Sequence, residues 1–147
     1  MNTVQAIRAA GLRVTTSRRA VFDAVSHYPH APADQVLRAV QLAQPDASLQ
    51  SVYNALGDFE RAGLVRRIEL AGHPGRYELR VGDNHHHLVC SECGQVEDID
   101  CVSGEAPCLV PGHDHGYTIH VAEVTFWGLC TSCTDASRPL PAATSPG

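Results

Sequence analysis

Two Cys-x-x-Cys pairs, Cys90-Ser-Glu-Cys93 and Cys130-Thr-Ser-Cys133, constrain this chain more than any other feature. Each pair can wrap two thiolates around one side of a tetrahedral ion, and two pairs close the coordination sphere, as in a structural zinc site. Redox-active dithiols or disulfides are the alternatives, but a lone pair would suit them better than two. Thirty-six residues separate the pairs, more than a simple ribbon needs, so the intervening chain must itself form strands that bring them together. A metal with four protein ligands has no open position, so such a site holds a fold rather than catalysing a reaction.

Just before Cys90 stands Asn84-His85-His86-His87-Leu88-Val89, which has the look of an extended strand. On a strand His85 and His87 share one face and His86 takes the other. Cys90, three residues after His87, falls on the opposite side from it, so imidazoles and thiolates should serve different metals. Val96-Glu97-Asp98-Ile99-Asp100 reads as a second strand paired with the first, which could bring Asp98 beside His85 and His87. Mixed imidazole and carboxylate ligands suit Fe(II), Mn(II), Ni(II) or Zn(II) and hold metal less permanently than four thiolates. The plainer alternative is a solvated histidine run.

The cysteines also bear on location. The first twenty residues are interrupted by Arg8, Arg13, Arg18 and Arg19, which argues against a secretory leader, and no apolar run reaches the roughly 18 residues of a membrane span. Six cysteines then predict metal-bound thiolates in a reducing cytoplasm before disulfides, and no membrane partner. Cys101 and Cys108 could be a redox pair, extra ligands or inert thiols, and inert is the expectation. His113 and His115, in Pro111-Gly-His-Asp-His-Gly116, read as a solvated loop. Thr118–Trp127 resumes as a strand, and residues 136–147, rich in Pro, Ala and Ser, read as a disordered tail.

The net charge of −5 hides a division. Residues 1–80 hold ten Arg against seven acids, +3, while 81–147 hold one Arg against nine, −8, and the two sum to −5. A basic first part suits a polyanion and an acidic, His- and Cys-rich second part suits cations. The expected domains are 1–80, a hinge at 81–84, and 85–135.

Within the first part, Val4, Ile7, Arg8 and Ala10 before Gly11 predict a short helix with a glycine stop. Ser17 precedes a second periodic run, Ala20, Val21, Ala24, Val25. Pro29 and Pro32 punctuate the chain before a third helix, Ala33–Ala43, which Pro45 ends. Ser48 caps a fourth, Leu49–Ala62, with Val52, Ala55, Leu56 and Phe59 inward and Gly63 closing it. Its outer face carries Gln50, Ser51, Tyr53 and Asn54, the residue types a helix in a major groove presents to phosphates and base edges. Leu64–Leu70, the turn Gly72-His73-Pro74-Gly75 and Arg76–Leu79 then read as a basic β-hairpin. Helices followed by such a hairpin describe a winged helix, with Arg18, Arg19 and Arg76 as further DNA contacts; a small domain whose hairpin only caps the core is the alternative. The fold class is therefore α+β: an N-terminal winged-helix DNA-binding domain, then a small α/β dimerisation domain.

An enzyme would need a metal with an open position and a general base, and the chain has no HExxH, no Gly-rich phosphate loop and no nucleophile motif. A zinc-ribbon interaction module would explain the thiolates but leave the histidine and acid set idle.

Gly11-Leu-Arg-Val-Thr15, Ser51-Val-Tyr-Asn54, Ala62-Gly-Leu-Val65, His85-His86-His87-Leu-Val-Cys90 and Gly128-Leu-Cys130 together resemble the ferric uptake regulator (Fur) family of bacterial metalloregulators. The likeness covers about residues 5–133. Arg80–His87 with Asp98–Cys108 looks most like the actinobacterial branch that represses catalase-peroxidase genes and responds to iron and peroxide. The resemblance implies structural zinc on Cys90, Cys93, Cys130 and Cys133. It also implies a regulatory metal, Fe(II) or else Mn(II) or Zn(II), on His30, Glu78, His85, His87 and Asp98, in a homodimer that grips a palindromic duplex operator. A metal bonded to both domains would clamp the two wings at operator spacing. In peroxide-sensing relatives the last carboxylate is an aspartate, as Asp98 is, and bound Fe(II) reacts with peroxide to oxidise a histidine ligand. A sensor of zinc or nickel that controls metal uptake is the alternative within the family. The family's third site is poorly kept, with Asn84 and His86 where relatives have a histidine and an acid, Glu105 as a match, and Ala122 near the late histidine position.

Overall fold

The computed structural model describes residues 2–79, 85–100 and 109–135. The expected hinge, Cys101, Glu105, Cys108 and the tail lie outside the described residues. The chain divides into two compact units, Met1–Gly82 and Asp83–Gly147.

Unit one begins with α1 (Thr3–Ala9), where Asn2 accepts from the Gln5 amide and Gln5 reaches back to the Asn2 amide. Two orphan donors of the first turn are thereby satisfied. Gly11, at φ 78°, supplies the left-handed residue that stops the helix. The second helix, α2 (Thr16–His27), starts earlier than the Ser17 signal implies: the Thr15 hydroxyl accepts from the Arg18 amide at 3.1 Å, so Ser17 lies inside the first turn. Next, α3 (Ala33–Gln41) stops two residues short of the expected Ala43. Last, α4 (Leu49–Arg61) is capped by Ser48, with Gly63 at φ 74° after its end.

The wing consists of β2 (Arg66–Ile68) and β3 (Arg76–Glu78), antiparallel with Arg67 opposite Tyr77. A third strand was not expected. Ala31–Pro32, β1, pairs with β3 through Ala31 and Tyr77, giving the order β1-β3-β2. Proline is tolerated there because β1 is an edge strand and needs no second ladder donor.

Ile7, Val21, Val25, Val36, Val52, Leu56, Phe59 and Val65 are at most 2% exposed and form the centre of this unit's core. Phe22 meets Phe59 edge to face, with centroids 5.8 Å apart. Burial of one face of α4 leaves its opposite face to solvent.

Unit two is a sheet of order β5-β4-β6 followed by a short helix. Strand β4 (His85–Cys90) pairs antiparallel with β5 (Val96–Asp100), as the sequence predicts. Strand β6 (Thr125–Gly128) is shorter than the expected Thr118–Trp127 and runs parallel to β4, with Cys90 opposite Gly128. That register, helped by Ser91, whose N–H and hydroxyl both donate to the Gly128 carbonyl, brings Cys130 to the end of β4. The five-residue α5 (Thr131–Asp135) then carries Cys133.

Candidate metal centres and nucleic-acid interface

Cys90 ends β4, and the turn after it closes with the Gly94 amide donating to the Cys90 carbonyl at 2.9 Å. Gly94 has φ 76°, a conformation glycine adopts without steric cost. The turn aims Cys93 back at Cys90, whose Sγ accepts from the amides of Cys93 at 3.5 Å and Cys130 at 3.4 Å. All four Sγ atoms lie within 4.8 Å of one another, and those of Cys93 and Cys130 are 3.7 Å apart. An ion with four sulfurs at about 2.3 Å in tetrahedral array sets them about 3.8 Å apart, so the cluster fits one. The four are free thiols, and 3.7 Å is far outside the roughly 2.05 Å of a disulfide.

The electrostatics agree with a site built for a cation. The amides of Cys130 and then Cys93 hold the Cys90 thiol down at about 6. Its neighbours move the other way. Contacts with Cys130 and Cys90 push Cys133 up to about 12, because a second anion beside the first is unfavourable. At Cys93 the Gln95 amide pulls downward, but contact with Cys90 and burial outweigh it and the thiol is raised.

On the same strand His85 and His87 share one face, with ring centroids 5.0 Å apart. The register puts Asp98 opposite His87, and its Oδ1 lies 3.4 Å from His87 Nε2 and 3.5 Å from His85 Nε2. Ligand bonds near 2.1 Å around one ion give separations of about 3.0–3.4 Å, so Asp98 Oδ1 stands close to ligand spacing from each imidazole. Both histidines are 3% exposed. His86, on the other face, is buried too.

Unit one carries its own buried polar cluster. Glu78, 1% exposed, accepts from Arg66 Nε at 3.2 Å on Oε1 and sits 3.1 Å from His30 Nε2 on Oε2. His30 is held at φ 67°, an uncommon conformation for a residue with a Cβ. Its amide donates to the Tyr77 carbonyl at 3.0 Å and its carbonyl accepts from Arg76 at 3.3 Å. Such strain persists only where the surroundings over-determine it, and it clusters at functional sites.

Of the residues proposed to face DNA, Gln50, Tyr53 and Asn54 are exposed on α4, and Arg19 on α2. The Ser51 hydroxyl donates its hydrogen to the Ser48 carbonyl at 2.7 Å and accepts the Ser48 amide at 3.2 Å, which leaves it one lone pair and no hydrogen for another partner. Arg18 pairs with Asp58 at 2.7 Å and donates to the Arg13 carbonyl, so it braces α2 against α4. Arg76 is half-buried beneath His30.

Arg38, Arg61, Arg66 and Arg67 are also ion-paired, to Asp34, Asp58, Glu78 and Glu69. Among the described residues Arg8, Arg13 and Arg19 keep exposed guanidinium groups without an ion pair. Arg13 was not among the arginines singled out from sequence, and it lies exposed just before the start of α2. His113 and His115 lie on an exposed turn, with centroids 4.4 Å apart.

Residues 9–126 match the ferric uptake regulator family. The transcriptional regulator FurA of Mycobacterium tuberculosis is 50% identical over 137 residues, spanning 92% of this chain and 93% of that protein. Ferric uptake regulation protein 1 of Mycolicibacterium fortuitum is 50% identical over 129 residues, spanning 88% and 80%. The ferric uptake regulator of Pseudomonas aeruginosa, solved with manganese, superposes with TM-score 0.68 at 28% identity, covering 89% of this chain and 99% of that one. These relatives are transcriptional regulators, not enzymes, with an N-terminal winged-helix DNA-binding domain and a C-terminal dimerisation domain. No helix is long and apolar enough to cross a membrane among the described residues. With a winged helix in unit one and a four-cysteine cluster in unit two, this chain belongs to the ferric uptake regulator family of transcriptional regulators.

Proposed function

We propose that this chain is a homodimeric, metal-dependent repressor that binds a palindromic duplex operator, responds to iron and peroxide, and controls oxidative-stress genes of the catalase-peroxidase type. The observation that carries the reading is Asp98 Oδ1 at 3.4 and 3.5 Å from two buried imidazoles. Asp98 is the short carboxylate that the resemblance associates with peroxide sensing. His85, His87 and Asp98 would hold the regulatory metal together with His30 and Glu78, so that metal binding and DNA affinity are linked. The imidazoles must be neutral to bind, Asp98 and Glu78 would offset the ion's charge, and burial of His85, His87 and Glu78 keeps water away. Fe(II) bound there would supply the reactivity toward peroxide.

The four cysteines would hold zinc, the ion that favours four thiolates in a closed tetrahedron. Dimerisation is supported by Leu88, Phe126, Trp127 and Leu129, which are 39–49% exposed on unit two in the single chain.

The test is metal content and affinity for a duplex selected from a randomised library, after anaerobic loading with Fe(II), Mn(II), Zn(II) or Ni(II), before and after brief peroxide exposure. Loss of DNA by the Fe(II) form alone supports the proposal. If every form survives and affinity tracks one metal, the chain is a plain sensor of that metal. If no metal changes affinity, the repressor reading falls.

A further inference from the structure

Gln50 and Asn54 stand four residues apart on α4, one turn and about 6 Å along its axis. Both are exposed, and Gln50 Nε2 donates to Asn54 Oδ1 at 2.9 Å. The bond consumes one amide hydrogen and one lone pair. What the pair keeps is the Gln50 carbonyl and second amide hydrogen with both Asn54 amide hydrogens and one Asn54 lone pair, so acceptors stand beside donors on an exposed face. Reversing both amides would exchange the roles but leave the same outward combination.

The rest of the helix start sharpens the point. The Ser51 hydroxyl is committed to the cap, and residues 49–54 contain no Lys or Arg. Guanine presents two acceptors, N7 and O6, which Arg or Lys reads best. Adenine presents one acceptor, N7, beside one donor, N6–H, and an amide matches both at once. Two amides already bonded to each other lose less rotamer freedom on docking than two free ones.

We propose that Gln50 and Asn54 work as one hydrogen-bonded reader that selects adenine at one position of each operator half-site. The inference rests on the repressor reading and adds its base specificity.

The experiment uses the full chain loaded with Mn(II) and a randomised duplex library, comparing wild type with Gln50→Ala, Asn54→Ala and the double variant. Both side chains are exposed, so all four proteins should melt together. Wild type should enrich a motif with one dominant A·T pair per half-site. Each single variant should weaken that one preference roughly tenfold, as loss of a bidentate contact does. The double variant should lose no more than either single, and other positions should keep their preferences. Preferences unchanged in the variants, a G·C pair at the affected position, or losses that multiply in the double variant would each overturn the reader. A wild type that enriches no motif with Mn(II), Fe(II) or Zn(II) would instead remove the repressor reading beneath it.

Discussion

Replacing Cys93 by serine keeps the shape of the side chain and removes one thiolate from the four-sulfur cluster. Unit two has little else to hold it. Among its described residues the only buried apolar side chains are Val89 and Cys90. Burying a valine contributes about 2 kcal/mol, whereas zinc held by four thiolates contributes about 10–16 kcal/mol at neutral pH. Zinc bound there would therefore dominate the stability of this sheet. Unit one, by contrast, has a core of fourteen buried residues running from Ile7 to Tyr77. Cys93→Ser should lose most of its zinc, expose the amides of β4, β5 and β6 to rapid hydrogen exchange, and fall apart to monomers, while α2, α3 and α4 keep wild-type protection. Zinc content by mass spectrometry, exchange by peptide and mass by sedimentation read the three effects separately. A variant with full zinc and an unchanged melting temperature would refute the assignment of Cys93 as a ligand. Equal loss of protection in both units would refute the argument that unit one stands on its own core.

Other outcomes follow from the same geometry. Cys133 is pushed up to about 12 and Cys93 is raised, so both are protonated near neutral pH, and zinc binding should release at least two protons. Calorimetry in two buffers of different ionisation heat counts them, and fewer than two would contradict the cluster's electrostatics. The Asp58 carboxyl is lowered, first by its hydrogen bond from Arg18, so it adds stability above its ordinary 3.8 that fades as pH falls through the depressed value. Asp58→Asn should cost unit one about 1 kcal/mol near pH 7 in chemical denaturation, a difference that shrinks below pH 4; a constant difference would exclude the ion pair as its source. His87→Ala should keep the fold and the zinc while weakening metal-dependent operator binding roughly tenfold or more; an unchanged metal titration would strike His87 from the ligands. Arg19→Ala should flatten the slope of log affinity against log salt by about 0.9, the share of one phosphate, and Arg18→Ala should leave it unaltered. Equal slopes for both variants would mean that the ion pairing of Arg18 does not decide which arginine meets DNA.

What the sequence disclosed and what it withheld divide along the range of the interactions involved. The cap of α4, the glycine stops at Gly11 and Gly63, and the alternation that sets His85 and His87 on one face are decided within a few residues, and a linear reading finds them. The pairing of β4 with β5 was legible because a short turn between two strands leaves few registers. Strand β1 was not. Pro29-His30-Ala31-Pro32 has the composition of a turn, and it becomes a strand only through Tyr77, far along the chain. The parallel placement of β6 was hidden for the same reason, since parallel partners need a long crossover that no local pattern encodes.

Charge was the least transparent signal. The arginine excess of residues 1–80 points to DNA, yet most of those arginines are paired within the fold, and two of the three proposed contacts, Arg18 and Arg76, hold α2 and the His30 loop in place. An arginine beside an acid in space but not in sequence is invisible to composition. The polar face of α4 was a better guide because amphipathic helices expose what they do not bury, and burial of Val52, Ala55, Leu56 and Phe59 fixes Gln50, Tyr53 and Asn54 outward. Apolar spacing thus located the exposed polar residues of α4 more reliably than composition located the unpaired arginines. The same reasoning applies to His30 and Glu78: neither stands out in sequence, and only the fold sets a carboxylate buried to 1% exposure between Arg66 and an imidazole held in a strained backbone. Burying that carboxylate is costly, and under the proposed function it would provide a ligand already oriented and stripped of water before any metal arrives.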